Sequence, residues 1–193
     1  MMSWIQTYTG KKFWPLSPRA EDIDDKDIAH ALSLICRFNG HSSRFYSVAE
    51  HSIRVAHLVD SWGASPRVQL AALLHDASEA YIADVSRPLK RHPDMIPYRN
   101  AEALLQAVIE EAYGISDMTL GERVLIKKAD SVLLVTEARY LMAPPPDQWT
   151  ETALPLVLDK EDILGGDSPD VVQSRFLALL DVYAEELAIG EGS

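Results

Sequence analysis

Apolar positions recur along this chain at intervals of three and four residues, and the phase breaks at a handful of glycines and prolines. Ile28, Ala31, Leu32 and Ile35 predict an amphipathic helix that begins behind an Asp25 cap and loses its register at Gly40. Ser47-Val48-Ala49-Glu50 reads as a capping box, in which the hydroxyl and the carboxylate each satisfy an orphan backbone N–H. It opens a second helix reaching about Trp62. Ser65-Pro66 places a cap before a proline whose missing N–H does no harm there, so VQLAALLHDASEA continues as one helix. Pro88, Pro93 and Pro97 then break the chain into a basic loop, RPLKRHP. Ala101, Leu104, Leu105, Val108, Ile109 and Ala112 mark the next helix, which Gly114 caps. A long helix from about Leu120 to Met142 carries Ile126, Leu133, Leu134 and Leu141 on one stripe, and Pro144-Pro145-Pro146 stops it. The last helix starts at Ser168-Pro169, carries Val172, Phe176, Leu179, Tyr183 and Leu187, and ends at Gly190.

No strand-like alternation competes with these helices, and no internal repeat is visible. The expected fold class is all-α, a bundle-like domain of about six helices. Residues 1–24 form an irregular arm packed on the domain, residues 25–189 the domain itself with an irregular connection over 147–167, and residues 190–193 a polar tail.

Composition narrows the functions open to such a bundle. A chain of 193 residues suits one domain, and 47% apolar with 24% charged residues is ordinary globular usage. The 29 Asp+Glu against 18 Lys+Arg give a net charge of -11, which argues against gripping a nucleic-acid polymer or an anionic membrane through a basic surface. A small anionic substrate is still compatible with a locally positive pocket. The single cysteine, Cys36, excludes an intrachain disulfide framework and is expected as a buried thiol on the first helix. No run approaches the ~20 apolar residues of a membrane span, and the N-terminus lacks a signal-peptide core, so a cytoplasmic protein is expected.

The chemistry is concentrated where charge falls on apolar faces. His75 lies on the Val68/Ala71 stripe with Asp76 beside it, and burying both without a partner is costly. A shared cation is one solution; a hydrogen-bonded core network is the other. Glu79, four residues after His75 and three after Asp76, is expected on the same helical face as both. Asp84 follows in the next loop, His51 sits in the first turns of the preceding helix, and Asp130 occupies the Ile126/Leu133/Leu134 stripe. Two histidines and two aspartates from three helices make an octahedral site with two positions left for water or substrate. Such a donor set favours Co, Mn, Fe, Ni or Zn over an all-oxygen Mg site.

The order His51, His75-Asp76, Asp130, in the segments AEHS, LLHDASEAYIADVSRPLK and KKAD, resembles the HD-domain metal-dependent phosphohydrolases. HDASE followed four residues later by Asp84 is similar to their bacterial 5'-deoxynucleotidase branch in particular, and DIAHALSLICRFNGH to a small bacterial and phage subgroup. The resemblance implies that His51, His75, Asp76 and Asp130 hold one divalent transition metal. It implies that Glu79 handles the protons of the attacking water and leaving oxygen, with Asp84 supporting the water network or the sugar. Arg37 and Lys90 are then the phosphate ligands, Arg44 being the alternative to Arg37. The implied substrates are deoxyribonucleoside 5'-monophosphates; a dATP-type triphosphatase using Arg87, Lys90 and Arg91, or a non-catalytic nucleotide-binding module, are the alternatives. His30, His41, His57 and His92 match no spacing of the superfamily's dinuclear branches, so one metal is expected, with His41 either structural or touching substrate. The resemblance also implies a homo-oligomer.

Overall fold

The computed structural model describes residues 3–149, 151–158, 163 and 166–191. Residues 1–2 of the arm, 150, 159–162 and 164–165 of the 147–167 connection, and 192–193 of the tail lie outside the described residues. The described chain is mostly helical, as its 3.6-residue periodicity requires. Six longer helices are α1 (Asp25–Leu34), α2 (Val48–Ser61), α3 (Pro66–Leu73), α6 (Ile96–Ala112), α7 (Leu120–Leu141) and α8 (Pro169–Glu191). Single turns α4 (Glu79–Ile82) and α5 (Arg87–Lys90) lie between α3 and α6. Helix α2 packs on α3 and α7, while α1 and α3 pack on α8. The core they enclose holds Ile28, Leu32, Val55, Leu73, Ile109 and Phe176, all fully buried.

Local chemistry sets most boundaries. Ser47 and Glu50 form the expected capping box, and Thr119 and Glu122 form a second one at α7. Gly114, at φ 68°, ends α6: its N–H donates to the Glu111 carbonyl and that of Ile115 to the Glu110 carbonyl, the paired bonds of a Schellman cap. The α1 cap is Asp24, one residue earlier than expected, its carboxylate accepting from the Lys26 and Asp27 N–H groups.

Elsewhere tertiary pairing overrides periodicity. Helix α1 stops at Leu34 rather than Gly40, because the following segment bonds to residues 46–48: Arg37 N–H donates to Tyr46 O at 2.8 Å and Val48 N–H to Ile35 O at 3.0 Å. Cys36 is therefore half-buried in an isolated bridge to Ser47, not a helical buried thiol. The arm contains a small hairpin, Ile5–Gln6 against Lys12–Phe13, turned at Gly10 (φ 86°). Two-residue strands are too short to show alternation. Phe13 is fully buried and stacks on Tyr81 with centroids 4.0 Å apart, so the arm supplies part of the core. The segment RPLKRHP is not an open loop. It forms α5 and a 3-10 turn, Pro93–Met95, and α6 starts at once at Ile96, the prolines occupying first-turn positions that need no N–H. Gly190 does not end α8, which continues to Glu191.

The largest departure is the HDASE segment. Helix α3 ends at Leu73, and the chain tightens to i→i+3 bonds: Ala77 to Leu74 at 3.0 Å, Glu79 to Asp76 at 3.0 Å and Tyr81 to Ser78 at 3.1 Å. The ring of His75 takes the Ala72 carbonyl, donating from Nδ1 at 2.8 Å. The tight turn ends at Ala83, whose φ of 68° and ψ of 158° are costly for any residue bearing a Cβ. Relieving strain of ~1–3 kcal/mol, less the glycine entropy penalty, makes Ala83→Gly stabilising by about 1 kcal/mol, which a shifted urea midpoint at unchanged slope would show.

Candidate metal centre and active site

The candidate side chains reach the site from four separate elements. His51 comes from the first turn of α2, His75 and Asp76 from the turn after α3, Glu79 from the start of α4, and Asp130 from the middle of α7. His51 is fully buried, and its Nδ1 lies 2.7 Å from Glu137 Oε1. A carboxylate only accepts, so Nδ1 carries the hydrogen and Nε2 of the neutral ring is a bare lone pair. The Ala72 carbonyl imposes the same tautomer on His75. Both Nε2 atoms are buried with no hydrogen-bond partner.

The carboxylates approach these nitrogens closely. Asp130 Oδ1 is 3.3 Å from His51 Nε2, and Asp76 Oδ2 is 3.1 Å from His75 Nε2. One donor atom each from His51, His75 and Asp130 lies within 4.8 Å of the others. Metal–ligand bonds of about 2.1 Å at right angles separate neighbouring donors by about 3 Å, which these spacings approach. Two orphaned imidazole nitrogens facing two carboxylates fit a divalent first-row cation better than a hydrogen-bonded network, in which neither Nε2 would be left bare.

Charge in the site is strongly coupled. Burial opposes ionisation of Asp76 and Asp130, yet His75 beside the first and His51 beside the second hold both carboxyls well below their usual range. Burial and Arg37 disfavour protonated His51, but Glu137 and Asp130 outweigh them and push it up to about 8. A metal must displace that proton, so the His51 contribution to Co2+ affinity should fall about tenfold per pH unit below about 8 and level off above it. Calorimetric titrations in buffers of different ionisation heat would show roughly one more proton released per ion at pH 7 than at pH 9. Burial, then Asp76 and Asp84, push Glu79 up to about 10, and burial raises Asp84.

A cavity of about 860 Å³ opens over these groups. Asp76, Glu79 and Asp130 line it, Arg37, Arg87 and Lys90 bring cations, and Phe38, Met142 and Trp149 add apolar surface. The buried Arg37 stays cationic because Glu137 and Asp76 outweigh its desolvation. Lys90 Nζ is 2.6 Å from Glu102 and 3.7 Å from Glu79. Asp84 and the exposed His41 also line the cavity.

Arg44 is spent elsewhere: it donates to Ile163 O at 2.9 Å and pairs with Glu50 at 3.2 Å. Arg91 is exposed and does not line the cavity, whereas Lys127 does, bonding Asp130. His30 pairs with Gln173 and stacks on Tyr8, while His57 and His92 are exposed. Glu79 does not reach the site along a continuous helical face, as its spacing predicts; the i→i+3 turn carries it there. Sequence reasoning passes over Glu137, although it lies seven residues after Asp130 on the same buried stripe.

A mostly helical fold around a His/His/Asp cluster, with His51 and Asp130 buried, fits a metal-dependent hydrolase of the HD type. The HD-domain family model matches residues 48–134, a span that includes His51, His75, Asp76 and Asp130. The uncharacterized protein YfdR of Escherichia coli (strain K12) is 43% identical over 149 residues, 77% of this chain and 78% of the relative. The uncharacterized protein RCAP_rcc00048 of Rhodobacter capsulatus is 33% identical over 144 residues, 72% of this chain and 73% of the relative. The chain belongs to the HD-domain family of metal-dependent phosphohydrolases.

Proposed function

We propose that this protein hydrolyses deoxyribonucleoside 5'-monophosphates to nucleoside and phosphate. The observation that carries this reading is the convergence, in one cavity, of the His51/His75/Asp130 cluster, the carboxyl of Glu79 and the cations Arg37 and Lys90. His51, His75, Asp76 and Asp130 hold the ion. A bound divalent cation supplies positive charge that neutralises phosphate oxygens, lowers the pKa of water and opposes the repulsion that Asp76 and Asp84 exert on Glu79.

The remaining work falls to the chain's own groups. Arg37 and Lys90 hold the phosphate oxygens by charge-assisted hydrogen bonds. Glu79 takes a proton from the attacking water and returns it to the departing 5' oxygen, so the nucleoside leaves as a neutral alcohol. One of its oxygens, Oε2, is buried without a hydrogen-bond partner, as a proton acceptor awaiting water would be. Asp84, lining the same cavity, orients that water or the sugar.

A triphosphatase reading has one observation in its favour. Arg87 and Lys127 also line the cavity and can serve further phosphates. The test is release of phosphate, pyrophosphate and triphosphate from each deoxynucleoside mono- and triphosphate with Co2+ or Mn2+ present. Phosphate from monophosphates is the expected result. Triphosphate released from a triphosphate would transfer the assignment to the second reading, and no turnover of any nucleotide would eliminate both.

A further inference from the structure

Glu137 lies two turns beyond Asp130 on α7 and is wholly buried. Its Oε1 accepts from His51 Nδ1 at 2.7 Å and from the Tyr46 hydroxyl at 2.9 Å. Its Oε2 lies 3.2 Å from Arg37 Nε, forming an ion pair, and Arg37 Nη1 lies 3.8 Å from Asp76 Oδ2. One carboxylate therefore touches a candidate metal ligand with one oxygen and the candidate phosphate clamp with the other. Both Glu137 and Arg37 fall outside residues 48–134, the span matched by the family model. Packing alone does not call for this arrangement, because an apolar residue of similar volume fills a core without desolvating a charge.

We infer that Glu137 is a positioning residue that sets the metal centre and the phosphate clamp together. By accepting from Nδ1 it keeps His51 in the tautomer whose Nε2 faces the ion, and its negative charge makes that nitrogen a stronger donor. By pairing with Nε it anchors the Arg37 guanidinium at one edge, leaving the Nη groups for phosphate. The metal half stands on the geometry alone. The phosphate half rests on the phosphohydrolase reading.

Binding measurements that need no turnover separate the two. Glu137→Gln keeps the shape and can still accept from His51, but it loses the charge and turns an amide N–H toward Arg37. At pH 9, where no His51 proton competes, Co2+ affinity by calorimetry is expected to fall about tenfold or more, within the range for residues behind metal ligands. The affinity of the Co2+-loaded protein for inorganic phosphate should fall as well. Buried Arg37 is left uncompensated in this variant, so Arg37→Gln/Glu137→Gln, which removes both charges, serves if the single variant does not fold. Compared with Arg37→Gln alone, the double variant should bind Co2+ about tenfold more weakly and phosphate no more weakly, because the arginine has already gone. Affinities within twofold of the respective parent, with only the melting temperature lowered, would reduce Glu137 to a packing residue. A wild-type protein that binds Co2+ but neither phosphate nor nucleotide would sink the proposed function, and the Co2+ comparison would still decide the metal half.

Discussion

Replacing Glu79 by alanine is expected to lower turnover by about 10²–10⁴-fold while leaving the metal content unchanged. The residue is only 4% exposed and lines the cavity, and its ion pair is with Lys90 at 3.7 Å rather than with a ring nitrogen of His51 or His75, so it faces the reaction space. Stability should move in the opposite direction to activity. In the ion-free protein the folded carboxyl holds its proton to about 10, against an ordinary value of 4.5. The folded state therefore binds more protons than the unfolded state between those limits, and stability declines as pH rises across the window. Glu79→Gln, which cannot ionise, should flatten that decline in urea titrations from pH 5 to pH 9. Retained activity in Glu79→Ala would remove the acid-base role, and an unchanged pH dependence in Glu79→Gln would remove the account of its burial.

The second large effect separates ligand from base. Asp76→Ala should abolish stoichiometric Co2+ binding at micromolar concentrations and reduce activity to background, because a carboxylate 3.1 Å from His75 Nε2 leaves the donor set. The side chain is about a quarter exposed and its contact to Arg37 is long at 3.8 Å, so the ion-free fold should still form, less stable at neutral pH by the lost pairing with His75. Asp76 is also the carboxylate that contributes most to raising the pKa of Glu79, so the substitution should bring Glu79 back toward ordinary acidity. Elemental analysis showing a full metal complement in Asp76→Ala would contradict its place among the ligands. The contrast is diagnostic: Glu79→Ala keeps the ion and loses the chemistry, whereas Asp76→Ala loses both.

Much of this molecule is legible in the chain because local rules are strong. The apolar stripe of α7 is readable with Asp130 on it, and Ser47 and Glu50 announce the start of α2. His75-Asp76 stands out because charge on an apolar face demands a partner. Less legible is anything that depends on contacts distant in sequence. The two-residue hairpin around Gly10 has no period to detect, and Phe13 enters the core only because Tyr81 is there to receive it. Periodicity extends α1 too far because the pairing of residues 35–37 with 46–48 leaves no trace in it.

Taken alone, the order of residues is enough for an all-α chain, the identity of its helices and a short set of His, Asp, Glu, Arg and Lys candidates. Side-chain periodicity, capping and the cost of burying charge are properties of segments, so they can be read from segments. Which candidates meet is a matter of packing. Packing bends the HDASE segment into a tight turn, turns two bare imidazole nitrogens toward two carboxylates, and separates Arg37 from Arg44. It also brings in Glu137, whose three partners lie 86 to 100 residues away along the chain. A hydrogen-bonded hub of that kind exists only after the helices have packed, because its energy comes from groups that no local pattern brings together.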